Sequence, residues 1–212
     1  METSDRQNIM ACIKKEGRHV FTTHELTALS GKSPSTVVHS LRRLAKQGLL
    51  MKIYRGVWAE TGSRAISPFE IIPYLFPRQR VYVSFISALH LHGIVEQIPQ
   101  VITLASTAHT STLRTEAGVF SVHQISPALF EGFDWYKGDG HFLIAEPEKA
   151  LIDSLYLSSR KKKQFGFFPE LNLPPEFSFK KAVRWADRIP EKKIRFYVLE
   201  KLRVLGKASG FA

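Results

Sequence analysis

The chain is poor in cysteine: Cys12 is the single one among 212 residues. No disulfide forms within it, and a reducing compartment is the expectation. It also lacks a long hydrophobic run. None reaches the roughly 18 residues that a membrane span needs, and the polar opening METSDRQ does not read as a signal peptide. No glycine-rich phosphate loop occurs. These absences argue against a disulfide scaffold, a membrane protein and a nucleotide-cradling enzyme, and they point to a cytoplasmic protein. Acids are scarce as well, 19 Asp and Glu against 30 Lys and Arg, for a net charge of +11. An excess of this size favours an anionic partner.

What is present is a globular composition, 44% hydrophobic with 15 Phe, long enough for one large domain or two modest ones. The charge is segregated. Bases against acids run 11 to 5 over residues 1–64, 5 to 9 over 65–155, and 14 to 5 over 156–212. The chain reads as basic, acidic, basic, a pattern that solubility alone does not require.

The stretch SPSTVVHSLRRLAKQGLL, residues 33–50, reads as one helix with its signals in place. Ser33 caps it, Pro34 suits its first turn and Gly48 stops it. At 100° per residue Val37, Val38, Leu41, Leu44 and Ala45 share one arc, and the polar residues share the other. Ahead of it, Ser4 and Gln7 form a capping box for a helix carrying Ile9, Met10 and Ile13. Thr22 to Glu25 form a second, opening a short helix with Leu26 and Leu29 that ends at Gly31. Helix, tight turn and helix make the helix-turn-helix layout. Met51 and Ile53 alternating with Lys52 and Tyr54, a turn at Arg55-Gly56, and Val57-Trp58-Ala59 predict a hairpin, the wing.

That layout gives the polar arc a use on double-stranded DNA. Ser35, Thr36, His39 and Ser40 are short polar groups near the start of a recognition helix, where base edges and phosphates come close. Arg43 is the candidate for bidentate contact to a guanine. Arg42, Lys46 and Lys52 suit phosphates. Tyr54 lies beside them on the wing, and Arg55 at the wing tip suits a minor groove. The competing reading is an ordinary solvated face.

Residues 64–68 read as a linker, and Ser67-Pro68 as the cap of a short helix interrupted by Pro73 and Pro77. Ser84 caps an apolar helix that Gly93 stops. Strands are expected at 100–105, 118–125 and 142–145, and helices from Glu146, at 179–189 and at 191–205. The fold class is α+β, with a winged helix-turn-helix over residues 1–62 and a mixed α/β domain over 63–212. No metal, cofactor or catalytic residue is expected. His90 and His92 fall on different helix faces, and the use expected of Glu146, Glu148 and Asp153 is capping and ion pairing. Arg160, Lys161, Lys162 and Lys163, with Lys180, Lys181 and Arg184, form a candidate second basic surface, for DNA or for a protein.

The segments YVSFISALHLHGIVEQIP (82–99) and EPEKALIDSLYL (146–157) resemble the AbiEi family, antitoxins of bacterial abortive-infection, type IV toxin–antitoxin pairs. The pattern lies in Ser84, Ser87, Ala88, Leu89, His92 and Gly93, followed by Gln97-Ile98-Pro99. The resemblance implies a non-enzymatic repressor that binds inverted repeats in its own promoter, with two protomers per site. It also implies opposition to a nucleotidyltransferase-type toxin, by direct contact or without it. The alternative is a plain winged-helix regulator whose C-terminal domain dimerises or senses a ligand.

Overall fold

The computed structural model describes residues 8–62, 66–138, 140–160 and 169–208. The described chain forms two compact units. One runs as far as Pro77 and takes in Thr115–Gly118, and the other comprises the remainder.

In the first unit, helices α1 (Ile9–Glu16), α2 (Thr23–Ser30) and α3 (Pro34–Lys46) accompany strands β1 (Val20–Thr22), β2 (Leu50–Tyr54) and β3 (Val57–Glu60). The strands pair antiparallel in the order β1-β3-β2. The apolar arc of α3 meets those of α1 and α2. Ile9, Cys12, Ile13, Leu26, Val37, Leu41 and Leu44 form one core with Phe21, Leu50 and Trp58 from the sheet. Each large aliphatic side chain buried there contributes about 1.5–3 kcal/mol. The Trp58 indole N–H donates to Thr23 Oγ1 at 3.0 Å, tying the wing to the start of α2. The β2–β3 turn needs Gly56, whose φ of 73° is left-handed.

Local signals set the helix ends. Thr22 Oγ1 accepts the Glu25 N–H at 3.1 Å while Glu25 Oε2 accepts the Thr22 N–H at 2.7 Å, a complete capping box. Ser33 Oγ accepts the Thr36 N–H at 3.3 Å, and Pro34 occupies the first turn of α3. The start of α1 differs from the sequence expectation. Asn8 is the cap, its Oδ1 accepting the Met10 N–H at 3.2 Å, whereas Ser4 and Gln7 lie outside the described residues. An Asx side chain adjoining the first apolar residue is the closer acceptor for those orphan donors. On β2, Met51 is exposed and Ile53 buried, because the ladder shifts register between Lys52 and Tyr54.

The first unit also holds a 3-10 turn over Pro68–Ile71 that leads directly into α4 (Ile72–Leu75). Pro73 sits in the first turn of α4, where its missing N–H costs nothing, rather than interrupting a longer helix.

The second unit is built on a six-stranded mixed sheet. Its strands are β4 (Tyr82–Val83), β5 (Ile102–Ser106), β6 (Ser111–Thr115), β7 (Gly118–Gln124), β8 (Phe133–Trp135) and β9 (Leu143–Ala145), in the order β6-β7-β5-β4-β9-β8. β5 runs parallel to β7 and β4 to β9, while β4–β5 and β8–β9 are antiparallel. Helices α5 (Phe85–Leu91), α6 (Pro147–Ser158), α7 (Phe179–Asp187) and α8 (Lys192–Ala208) complete the unit, α6 packing against the other three. Every residue of α6 from Glu148 to Leu157 is buried, including Lys149, Asp153 and Ser154. The short strands β4, β6 and β8 carry no sequence signal of their own and form by pairing with neighbours.

Candidate nucleic-acid interface

On α3 the structure places the proposed reading residues on the arc away from the core. Ser35, Thr36, His39, Arg42, Arg43 and Lys46 are exposed, and Ser40 is half-buried at the margin. The Ser33 hydroxyl lies 3.0 Å from that of Ser35 and 2.8 Å from that of Thr36, a small hydroxyl cluster at the positive end of the helix dipole. On the wing, Lys52 and Arg55 are exposed and Tyr54 is half-buried. Lys52 is held against the Trp58 ring, its Nζ 5.8 Å from the centroid. Arg55 stands in the β2–β3 turn beside Gly56. No acid lies within α3 or β2 to neutralise these cations. Donors and positive charge therefore converge on one helix face and the adjoining hairpin, the chemistry that phosphate and base-edge recognition requires.

The second basic surface holds together less well. Lys181 is half-buried, its Nζ 2.7 Å from Glu146 Oε2 and 3.5 Å from Glu148 Oε2, and these two acids hold its pKa up against burial. It stays partly exposed, but its charge is committed to an ion-pair cluster. Arg160 donates to the Tyr156 hydroxyl and lies 3.8 Å from Glu191. Lys180 and Arg184 are exposed on α7. Lys161, Lys162 and Lys163 lie outside the described residues.

Sequence reasoning missed a buried polar cluster in the second unit. The Tyr82 and Ser84 hydroxyls donate to Asp153 Oδ2 at 2.9 and 2.7 Å. The Lys149 ammonium contacts the other Asp153 oxygen and donates to the Tyr82 oxygen at 2.9 Å. Lys149, Asp153, Tyr82 and Ser84 are all fully buried. Burial lowers the Lys149 pKa against the pull of Asp153. Burial, reinforced by Asp153, raises that of Tyr82 well above the ordinary phenol value.

Ser84 therefore does not cap α5 with its side chain, because its hydroxyl is committed to Asp153. The next residue, Phe85, takes a left-handed φ of 56°, held by the Ser84 N–H to Thr103 O bond at 3.1 Å and by the Thr103 hydroxyl on Ser84 O at 2.8 Å. His92 closes α5 through its backbone N–H on Ala88 O at 2.9 Å, while its side-chain Nε2 lies 2.7 Å from Ala145 O on β9. The Ser84, His92 and Asp153 positions of the sequence pattern are thus structural pins. The readable signal was a Lys and an Asp four apart on a helix otherwise too apolar to be a surface one.

Three helices, a small antiparallel sheet with a hairpin wing, and a cationic outer arc on the third helix define a winged helix-turn-helix of the DNA-binding regulator class. Residues 14–61 match the family model described as transcriptional regulator, AbiEi antitoxin. The matched span ends before the 82–99 and 146–157 segments. No curated protein matches the sequence. Among the described residues no helix is long and apolar enough to cross a membrane, and no group of three His, Cys, Asp or Glu side chains converges to hold a metal ion.

Proposed function

We propose that the protein is a cytoplasmic, non-enzymatic repressor that binds inverted repeats in its own promoter and serves as the antitoxin against a nucleotidyltransferase-type toxin. The residue ranges 1–62 and 63–212 are the proposed division of labour between DNA binding and the antitoxin role. The observation that carries the DNA part is the exposed arc of Ser35, Thr36, His39, Arg42, Arg43 and Lys46 on α3, with no acid on that helix. Arg43 reads a base edge, Ser35, Thr36, His39 and Ser40 approach phosphates and bases, and Arg42, Lys46, Lys52, Tyr54 and Arg55 hold the backbone and wing. The antitoxin role is supported by the family that residues 14–61 match. Two protomers, dimeric beforehand or assembled on the operator, occupy a repeat pair.

The deciding experiment titrates the chain onto its own upstream DNA across a salt series. Arg43→Ala is expected to weaken specific binding by about 1–3 kcal/mol while leaving non-specific binding nearly unchanged. Binding indifferent both to sequence and to Arg43 rejects the reading head. Growth rescue from a nucleotidyltransferase-type toxin co-expressed with the chain, scored in parallel, tests the antitoxin role.

A further inference from the structure

In the sheet of the first unit β2 is an edge strand, since the order β1-β3-β2 gives it a neighbour on one side alone. Its ladder with β3 pairs Lys52 with Trp58 and Tyr54 with Val57, so Ile53 is the extra residue of a bulge and is skipped in the pairing. The Ile53 side chain is buried, and its carbonyl accepts the Glu116 N–H at 3.2 Å. Glu116 lies in the turn that joins β6 to β7, and Thr115–Gly118 is the later segment of the chain that groups with the first unit. The turn is built to hold that donor in place. A two-residue hairpin loop favours Asn-Gly or a leading Gly, and Glu116-Ala117 is neither. The Thr115 hydroxyl does the work instead, accepting the Ala117 N–H at 3.2 Å and donating to Gly118 O at 2.9 Å. Gly118 has a φ of 144°, a conformation that suits glycine. A Cβ at Gly118 would stand 3.9 Å from the Cβ of Pro68, which places the turn beside the 3-10 turn of the same unit.

We propose that the Thr115–Gly118 turn positions the wing for DNA: by closing the open edge of β2 at Ile53 it fixes the direction in which Lys52, Tyr54 and Arg55 are presented. The inference rests on the DNA reading above. A bulge bends its strand and increases the local twist. This one falls between Lys52 and Tyr54, so the angle at Ile53 sets Arg55, in the hairpin turn, relative to Lys52. The rest of the hairpin is tied to α2: Gly56 O accepts the Thr23 N–H at 2.8 Å, and the Trp58 indole donates to the Thr23 hydroxyl. On the outer edge of β2 the Glu116 N–H supplies the corresponding tie. Without it the bulge residue stands on an open edge, where twist and register are weakly specified. Side chains already held in their contact geometry lose less freedom on binding. Glu116 is therefore a positioning residue that acts through Ile53 and does not itself touch DNA. It also lies beyond the 1–62 range assigned to DNA binding, so that range alone lacks the brace of its own wing.

The test titrates the full chain onto its own upstream DNA across a salt series. Glu116→Pro removes the N–H, Glu116→Asp keeps both the N–H and the charge, and Thr115→Val loosens the turn while leaving every backbone donor in place. Glu116→Pro is expected to weaken operator binding about tenfold and to flatten the salt slope by about 0.9–1.8, the value of one or two phosphate contacts. Thr115→Val is expected to move both in the same direction by less, and Glu116→Asp to leave both unchanged. Arg55→Ala is expected to cost affinity in the wild type and little more in Glu116→Pro, whereas Arg43→Ala costs the same in both, because the turn does not hold α3. Hydrogen exchange is expected to quicken at the Tyr54 and Arg55 amides of Glu116→Pro and to stay slow in α3, which separates a displaced wing from a misfolded unit. If Glu116→Pro loses the protection of α3 as well, Thr115→Val decides by the same criteria. Specific binding and a salt slope left intact by the deciding variant overturn the proposal and spare the DNA reading. So do losses that simply add to that of Arg55→Ala, a Glu116→Asp as weak as Glu116→Pro, or a Lys52→Ala, Arg55→Ala double variant that binds as the wild type does. Wild type without sequence-specific binding rejects the DNA reading itself, and the proposal with it.

Discussion

At the residue scale the informative positions are those where polar chemistry is buried. Lys149 and Asp153 bring an ion pair into a fully buried site, where desolvation offsets much of the Coulomb attraction. Removing one partner is far worse than removing the pair. Asp153→Asn keeps an acceptor for the Tyr82 and Ser84 hydroxyls but strands the ammonium. We expect it to cost about 3–5 kcal/mol in urea unfolding. Adding Lys149→Met is expected to recover about 0.5–3 kcal/mol of that loss. No recovery would show that the pair is not coupled.

Tyr82 supplies a pH dependence whose sign is fixed. Its folded pKa is raised by burial and by Asp153, so the stability it provides is complete below the unfolded phenol value of about 10. That stability is lost as pH rises beyond this value. The fall in unfolding free energy between pH 9 and pH 11, each about one unit from that value, should be shallower in Tyr82→Phe than in the wild type. Equal slopes would refute it.

Elements here owe their boundaries to single side chains. The capping box of α2 rests on Thr22 and Glu25. Thr22→Ala is expected to cost about 0.5–2 kcal/mol, read as a lowered melting temperature. A different constraint acts just before β8. Gly132 has a φ of 74°, and a Cβ there would overlap the ring of Trp185. Trp185 is itself held by its indole N–H to Glu146 Oε1 at 2.6 Å. Gly132→Ala is therefore expected to destabilise the second unit by about 1–3 kcal/mol through overpacking and backbone strain. Wild-type urea stability in that variant would mean that the ring moves aside. Among the charged helix faces, α3 presents cations without acids, whereas α7 spends Lys181 on Glu146 and Glu148, and Arg188, which caps its end, pairs with Glu131. Charge counted along a sequence overstates the charge that a surface offers.

At the scale of the whole molecule the basic, acidic, basic segregation acquires a spatial meaning. The first basic block is the winged helix. Much of the acidic block is consumed internally: Asp153 by Lys149, Glu146 and Glu148 by Lys181, and Glu131 by Arg188. The final block leaves cations exposed along α8. Operator binding should accordingly carry a salt dependence set by the winged helix. Each phosphate contact contributes about −0.9 to the slope of log K against log salt. Lys46→Ala and Lys52→Ala are each expected to flatten that slope by about 0.9. Unchanged slopes would place these lysines off the backbone.

The sequence by itself determined the winged helix. Its signals are local, a cap, a 3.6-residue apolar period and a turn glycine, and local signals act wherever the segment lies. It also marked the cationic arc, because a helix with one apolar side has its other side defined. Only the tertiary structure decided the rest. Strands as short as β4 and β8 exist because a neighbour pairs with them. The sequence marks Ser84 as a cap and Asp153 as a capping or ion-pairing acid, and only packing brings these two, 69 positions apart, to a 2.7 Å hydrogen bond. Lys181 looked like surface charge until α6 set two acids against it. Long-range contacts are chosen by the sum of packing over the whole unit, and no window of sequence contains that sum.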